Sequence, residues 1–316
     1  MFESPFMDAV IFSVPGTPLT LNWYGLSFAA TFLFGIWYAN RRSDRSPGWG
    51  ITRQMNSDLL FYIVVGVLVG ARLGYVLFYG LDQLLPVVQT VSDTGETVTR
   101  RTLDLMFIFK VYEGGLSFHG GFLGVCVAYI LFARKYRINP FTIADWVVPI
   151  IPMGITFVRG GNTINGELWG RVTESPLGVY FMALPENAAG PLVMRHPSTI
   201  YEMLLEGVLL FFVLQWFIRK PRPRMAASGL FVMGYGFFRT CVEFYRQPDA
   251  QLGVNGFLYG TDWITRGMTL SVPMIIGGAI MIALAYRWNI YDHQRAKGRA
   301  DDSALAAKTG VKQRQV

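Results

Sequence analysis

Seven apolar segments, each about as long as a helix that crosses a membrane, restrict what this chain can fold into more than any other feature. They lie near residues 21–39, 59–79, 117–133, 141–158, 200–218, 229–245 and 268–286. A helix needs roughly 20 apolar residues to cross the hydrocarbon layer. Only 16% of the residues are charged, whereas a soluble domain carries about 25%. We therefore predict an all-α integral membrane protein with about seven transmembrane helices.

The positions of the basic residues predict the orientation of these helices. Eighteen of the 28 Lys and Arg residues follow the first, third and fifth segments or lie in the carboxyl-terminal tail, and eight lie in the other loops. Basic residues concentrate on the cytoplasmic side, so the amino terminus is expected outside and the carboxyl terminus in the cytoplasm. The predicted organisation is an outer segment 1–20, a membrane domain 21–287 with outer segments near 80–115 and 159–199, and a cytoplasmic tail 288–316. No basic residue precedes the first segment, which is therefore predicted to be a retained span rather than a signal peptide.

Composition also argues against several other classes of protein. The net charge is +7, but the basic residues lie in short loops between apolar segments, so we expect no nucleic-acid partner. Cys126 and Cys241 lie inside apolar runs and are predicted to be buried thiols rather than a disulfide. The three histidines and the carboxylates lack metal-ligand spacing, so no metal or cofactor is predicted.

Ionisable residues inside the apolar segments are the first candidates for function. A charge at mid-membrane costs about 2.5–3.5 kcal/mol on insertion scales, so such groups are seldom there by chance. They are Arg72, His119, Asp145, Glu202, Glu206, Arg239 and Glu243. Tyr235, Arg239 and Glu243 are spaced four apart and form one stripe on a helix. A simple Arg239–Glu243 ion pair is one interpretation; an arginine that binds phosphate through two parallel hydrogen bonds is the one we favour.

A second polar cluster follows the fourth apolar segment, at its outer end. Within thirteen residues it offers Arg159, Asn162, Asn165, Glu167 and Arg171, interleaved with glycines that let a ligand approach the backbone closely. Loops are often polar, so the composition of this segment is by itself weak evidence for a binding site. Its position at the outer interface predicts a site for a lipid head group.

Three further positions have a structural and a functional interpretation. His119 could be a packing histidine, or it could take a proton from a thiol. Ser198 is expected to cap the fifth helix, with Glu202 reaching back to its first turn. Arg72 and Asp145 could pair with other buried charges, whereas His293 in the tail is expected to be solvated.

Several motifs, taken in order along the chain, resemble the prolipoprotein diacylglyceryl transferases of bacterial inner membranes. They are Asn22-Trp-Tyr-Gly25, Gly70-Ala-Arg-Leu-Gly-Tyr-Val-Leu-Phe-Tyr79, Gly114-Gly-Leu-Ser-Phe-His-Gly-Gly121, Asn165-Gly-Glu-Leu-Trp-Gly-Arg171, Arg195-His-Pro-Ser198 and Gly234-Tyr-Gly-Phe-Phe-Arg239 running to Glu243-Phe-Tyr-Arg-Gln-Pro-Asp249. Together they cover residues from about 20 to 287. Any one motif is weak, but their common order is specific.

The resemblance implies transfer of the diacylglyceryl group of phosphatidylglycerol to the lipobox cysteine thiol of prolipoproteins, with release of glycerol phosphate. It implies a multi-pass protein of the inner membrane whose active site faces the periplasm. Arg159 and Arg239 correspond to arginines that bind the lipid phosphate, and His119 is the candidate base. Further residues implicated in substrate binding or activity correspond to Tyr24, Asn162, Asn165, Glu167, Tyr235 and Glu243.

The chain departs from the family pattern in places. Val158 stands before Arg159 where glycine is usual, a glycine follows where an aliphatic residue is usual, and Thr163 replaces an aromatic residue. The outer segment 80–115 is also longer than is typical. The alternatives to the enzyme are a polytopic lipid or solute transporter and, third, a membrane scaffold without catalysis. The oligomeric state is left open.

Overall fold

A computed structural model describes residues 10–13, 15, 20–85, 87–91, 97–109, 115–180, 193–248, 257–259, 261 and 263–292. The chain divides into two compact units, Met1–Thr52 with Phe141–Val316, and Arg53–Pro140. Each unit is mainly helical. Most of the expected tail, including His293, and parts of the outer segments lie outside the described residues.

The first unit contains most of the helices. They are α1 (Trp23–Arg45), α6 (Pro140–Val147), α7 (Ile151–Ile164), α8 (Ser198–Glu202), α9 (Leu210–Phe217), α10 (Ala226–Glu243) and α11 (Arg266–Trp288). A π-helical segment, Met203–Leu209, joins α8 to α9, and a 3-10 turn, Pro47–Trp49, follows α1. The Asn22 side chain caps α1 by accepting a hydrogen bond from the Gly25 amide at 2.7 Å, which satisfies one of the amides that a helix start leaves free.

The second unit is built on two long helices, α2 (Arg53–Phe78) and α5 (Phe118–Tyr136). Between them lie α3 (Leu81–Leu84), the strands β3 (Val87–Val91) and β4 (Thr97–Arg101), and α4 (Met106–Phe109). A Cβ atom at Gly124 would lie 1.9 Å from the carbonyl oxygen of Gly66. Glycine is therefore required for α2 and α5 to approach this closely, as small residues do in membrane helix pairs.

Among the described residues, three antiparallel pairs of short strands modify the all-α prediction. β1 (Val10–Ser13) pairs with β2 (Thr20–Asn22), β3 with β4, and β5 (Val179–Tyr180) with β6 (Met194–Arg195). The β3–β4 hairpin occupies much of the outer segment predicted near 80–115. Short strands of this kind carry too little hydrophobic periodicity to be recognised beside strongly apolar helices.

All seven predicted apolar segments fall on helices, but fewer meet the length and hydropathy of a membrane span. Within the described residues three helices do so: Arg53–Phe78, Ser198–Phe217 and Arg266–Trp288. A fourth span results if α6 and α7, which meet at 52°, form one bent crossing. The protein is thus a mainly helical chain with three or four candidate spans.

Candidate functional site

Two arginines from different helices meet at one carboxylate in the first unit. Arg159 on α7 places Nε 2.8 Å from Glu202 Oε2, and Arg239 on α10 donates through Nη1 to Glu202 Oε1. The Glu202 side chain is only 2% exposed. The two arginines are 80 residues apart in the sequence, and in the fold each lies at a different oxygen of the Glu202 carboxylate.

Arg239 faces further carboxylates. Its Nη2 donates to Glu243 Oε1 at 3.2 Å, and its Nη1 lies 3.7 Å from Glu206 Oε1. Arg246 Nη1 lies 3.7 Å from the same Glu243 oxygen, and the Thr265 hydroxyl donates to Glu243 Oε2 at 3.1 Å. The Arg239–Glu243 pair weighed from the sequence is therefore real, but it is one part of a larger cluster of alternating charges.

The π-helical segment places two of these carboxylates against the arginines. A Cβ atom at Gly207 would lie 2.2 Å from Thr156 Oγ1, so α7 packs directly against this segment. Glu206 is fully buried, and its carboxylate lies beside Arg239, whose Nη1 is 3.7 Å from Oε1, and interacts with the Tyr235 side chain. Such π-helical segments are frequent at functional sites. Burying a carboxylate is costly unless a positive charge lies close to it, and here Arg239 supplies that charge.

The loop after α7 extends the cluster by a chain of hydrogen bonds. Asn162 accepts from Arg159 Nη1 at 3.3 Å and donates to Glu167 Oε2 at 3.1 Å. Asn165 donates to the other Glu167 oxygen at 3.0 Å. Gly166 between them has a φ of 68°, a conformation that glycine adopts without strain. Asn162, Asn165 and Glu167 therefore fix the loop against Arg159.

Arg171 has a different environment from the rest of its predicted cluster. Its Nε donates to the carbonyl oxygen of Arg246 at 3.0 Å, and its Nη2 donates to that of Glu243 at 3.4 Å. Arg195 similarly donates to the carbonyl oxygen of Gly170 at 3.2 Å. The two Arg171 bonds fasten the loop to the carboxyl end of α10, where the last helical carbonyls lack partners.

The prediction for Ser198 and Glu202 as a helix cap is wrong. The Ser198 hydroxyl donates to the carbonyl oxygen of Leu168 at 2.6 Å, and α8 begins after Pro197 without a side-chain cap. The Glu202 carboxylate pairs with Arg159 and Arg239 and does not reach back to the first turn of its helix. The spacing of the two residues matches a capping pattern, but ion pairs supplied by distant helices offer stronger partners in a buried setting.

Arg72 and Asp145 bond mainly to backbone groups. Arg72 donates to the carbonyl oxygens of Ile108 at 3.0 Å and Gly115 at 3.1 Å within the second unit. Asp145 accepts from the amides of Met225 at 2.7 Å and Ser228 at 2.8 Å. Arg72 thus anchors the connection between α4 and α5, and Asp145 caps the start of α10.

The remaining predicted residues lie in different places. The Tyr24 backbone, at the start of α1, faces Gly161 on α7, where an added Cβ would lie 3.5 Å from the Tyr24 Cα. Tyr235 lies on α10, one turn before Arg239, and interacts with Glu206.

His119 belongs to the second unit, on the first turn of α5, with an exposed side chain. His196, which belongs to the Arg195–Ser198 motif but was not a predicted site residue, lies just before α8 with Nδ1 3.1 Å from the Tyr201 hydroxyl, and burial lowers its pKa.

Comparison with known proteins decides the family. A sequence model of the prolipoprotein diacylglyceryl transferases matches residues 9–284. The chain belongs to the prolipoprotein diacylglyceryl transferase family. It is 48% identical over 287 residues to the phosphatidylglycerol–prolipoprotein diacylglyceryl transferase of Vibrio vulnificus (strain YJ016), covering 91% of this chain and 94% of that protein. It is 45% identical over 306 residues to the enzyme of the same name from Aliivibrio fischeri (strain MJ11), covering 96% and 97%.

Membership of this family confirms the resemblance seen in the motifs and makes the chain a transferase of the membrane. It also disfavours the transporter and the scaffold. The charge cluster contains four residues that the sequence-based site did not include: Glu202, Glu206, Arg246 and Thr265. Glu202 and Glu206 appeared among the ionisable residues of the apolar segments, and this was the signal that could have placed them in the candidate site.

Proposed function

We propose that this transferase moves the diacylglyceryl group of phosphatidylglycerol onto the lipobox cysteine of prolipoproteins, at the Arg159–Glu202–Arg239 cluster. The observation that carries the proposal is the convergence of two guanidinium groups on one anion. Glu202 occupies the space between them with two oxygens, as a phosphate would. Arginine suits this task because its planar donors match the oxygens of phosphate in pairs.

In the proposed reaction the cysteine sulfur attacks the glyceryl carbon that bears the phosphate. A carbon–sulfur bond forms, the carbon–oxygen bond breaks, and glycerol phosphate leaves with the electron pair. Negative charge therefore grows on the phosphate oxygens, and arginines fixed beforehand in a dry site stabilise it strongly. Arg159 is the more accessible of the two, at 21% against 13% side-chain exposure, so it is proposed to meet the donor first.

The other site residues are given supporting roles in this proposal. Asn162, Asn165 and Glu167 hold the loop beside Arg159, and Glu243 holds Arg239 from the far side. Tyr24 and Tyr235 are proposed to contact the donor lipid. By its position in the family motif, His119 is proposed as the general base that accepts the thiol proton.

The proposed topology has seven crossings, a periplasmic amino terminus and a cytoplasmic carboxyl terminus in the bacterial inner membrane. Support comes from α1, which begins at Trp23 beside the α7 end of the cluster and ends with Arg41, Arg42 and Arg45. Basic residues mark the cytoplasmic end of a span. The charge cluster is accordingly proposed to face the periplasm, where the lipobox of a secreted precursor would reach it.

A reconstituted transfer assay tests the proposal. Purified chain in detergent is mixed with phosphatidylglycerol and a lipobox peptide, and the peptide mass is followed for the addition of one diacylglyceryl group. Wild type and Arg134→Ala, a change at an exposed arginine in the last turn of α5, should transfer. Arg159→Ala should not, while eluting from size exclusion as wild type does. Full transfer by a folded Arg159→Ala variant would overturn the assignment of the site.

A further inference from the structure

A second, strongly basic cavity lies in the first unit, apart from the charge cluster. Its volume is about 620 Å³, and it is bounded by the second half of α1, the 3-10 turn, α9 and the loop 218–222. Its basic lining residues are Arg41, Arg42, Arg45, Arg219, Lys220 and Arg222. Asp145 is the acidic residue of the lining, so positive charge is in large excess.

Part of this lining is committed to holding the fold. Asp145 is occupied by the start of α10. Arg42 donates to the carbonyl oxygen of Trp146 at 2.6 Å and lies 4.4 Å from the centre of its ring. Arg222 donates to the carbonyl oxygen of Phe217 at 2.8 Å and to the Tyr286 hydroxyl at 3.2 Å. These three side chains are therefore engaged in contacts within the fold.

The other four cations are exposed. They are Arg41, Arg45, Arg219 and Lys220. Among the residues that the structure describes, no carboxylate oxygen lies within 4 Å of them. Like charges around one cavity repel each other, and a bound anion relieves that repulsion.

The walls of the cavity are apolar and aromatic. The Phe34 ring on α1 lies 6.2 Å from the Phe211 ring on α9, and Trp37 packs beside Phe34 on α1 at 5.6 Å. The same two helices carry strongly exposed apolar side chains nearby, Leu33 at 68% and Trp216 at 66%. A ligand that fits both parts has an anionic head and apolar chains. Basic pockets between membrane helices bind phospholipid head groups in this manner.

The cavity is separate from the proposed donor site. Tyr24, beside Gly161, and Arg41 are seventeen positions apart on α1, and at 1.5 Å per residue this is a distance of about 26 Å. The separation along α8–α9, from Glu202 to Arg219, is also seventeen residues. The two sites therefore lie at opposite ends of the same helices.

We propose that this basic cavity binds the phosphate head group of an anionic phospholipid, whose chains lie against α1 and α9. This site is distinct from the one that the donor lipid occupies during transfer, and it goes beyond the proposed function. The bound lipid would belong to the leaflet opposite the transfer reaction.

Photolabelling of the full chain tests the proposal. A photoactivatable phosphatidylglycerol, with its reactive group next to the head, is titrated onto purified protein, and labelled peptides are mapped by mass spectrometry. We expect saturable labelling of peptides within 34–49 and 211–222, and none with the matching phosphatidylcholine probe. Equal labelling by both probes would overturn the proposal. Competition by inorganic phosphate at the concentrations at which the lipid competes would also overturn it, because the site would then hold a free anion.

Matched double variants test the residues. Arg41→Gln with Lys220→Gln removes two charges from the cavity, and Arg134→Gln with Arg287→Gln removes two exposed charges elsewhere. Each basic residue near a membrane surface contributes about 1 kcal/mol, so the first pair should weaken labelling about thirty-fold and the second should not. Arg159→Ala should retain cavity labelling even where transfer is lost. Unchanged labelling in the cavity variant, or loss of cavity labelling in Arg159→Ala, would overturn the proposal. The proposed function is tested separately, by the transfer assay.

Discussion

Glu202 is the point at which a single substitution should reveal most about the charge cluster. It holds Arg159 and Arg239 together while the donor is absent. Glu202→Gln keeps the size of the side chain and one accepting oxygen, but it removes the negative charge. We expect opposite effects on folding and on donor binding, because the carboxylate stabilises the arginines and also competes with the phosphate for them.

The magnitudes follow from the geometry. Removing one member of a buried ion pair destabilises a protein by about 3–5 kcal/mol. Glu206 and Glu243 also face Arg239, so the loss in unfolding free energy should be near the lower end, about 3 kcal/mol. A phosphate about 5 Å from a carboxylate is repelled by about 3 kcal/mol at an effective dielectric constant of 20. Glu202→Gln removes this repulsion, but it also leaves the two arginines less firmly held, which weakens phosphate binding. We therefore expect the KM for phosphatidylglycerol to fall by about tenfold, which is less than the full repulsion would give.

Two measurements on the same preparation test this reasoning. Unfolding is followed by titration with sodium dodecyl sulfate, and the KM is obtained from the transfer assay at varied phosphatidylglycerol. Glu174→Gln, at an exposed position in the turn after β-bridge residue Val172, is the matched control and should change neither quantity. A higher KM for Glu202→Gln, or an unfolding free energy equal to that of wild type, would refute the account of this carboxylate.

Four further substitutions should have the following effects. Arg159→Lys keeps the charge but loses the paired donors, so kcat/KM in the transfer assay should fall about a hundredfold; a value within threefold of wild type would contradict the proposed phosphate contact. Gly207→Ala should lower the unfolding free energy by about 1–3 kcal/mol, because its Cβ would collide with α7. Its control, Gly277→Ala, has open space around it and should stabilise α11 by about 1 kcal/mol. Equal effects of the two substitutions on the unfolding free energy would refute the described packing of the π-helical segment. Asp145→Ala should lower the unfolding free energy by about 1–3 kcal/mol by leaving the Met225 and Ser228 amides without their acceptor, and an unchanged value would refute that capping role.

The helices were predictable because hydropathy acts along the chain. Each apolar segment lies on a helix, since a long run without charges can satisfy its backbone only internally when it is away from water. The bend between α6 and α7 was not predicted. It depends on packing among helices, and the hydropathy of residues 141–158 carries little sign of it.

The arginines of the site were predictable for a related reason. Arg159 and Arg239 stood out because charges near or inside apolar segments are rare unless they have a task. Their shared partner could not be identified, because Glu202 lies on a third helix and its spacing to Ser198 suggested a local cap. Partners across helices are set by tertiary packing, which periodicity along one helix does not report.

The backbone bonds of Arg72 and Asp145 illustrate the same limit. Both were recognised as buried charges that could pair with other buried charges, and no partners were assigned. In the structure they form hydrogen bonds with carbonyl and amide groups near helix ends, which carry unsatisfied backbone groups of the matching polarity. Which helix end lies near which side chain is a property of the fold.

The central claim is that Arg159 and Arg239 together hold the phosphate of the donor lipid. The most direct measurement is an experimental structure of the wild-type chain with phosphatidylglycerol bound. The claim predicts phosphate oxygens within hydrogen-bond distance of both guanidinium groups, with Glu202 displaced from at least one of them. A bound lipid whose phosphate contacts neither arginine, while Glu202 still bridges the two, would contradict it.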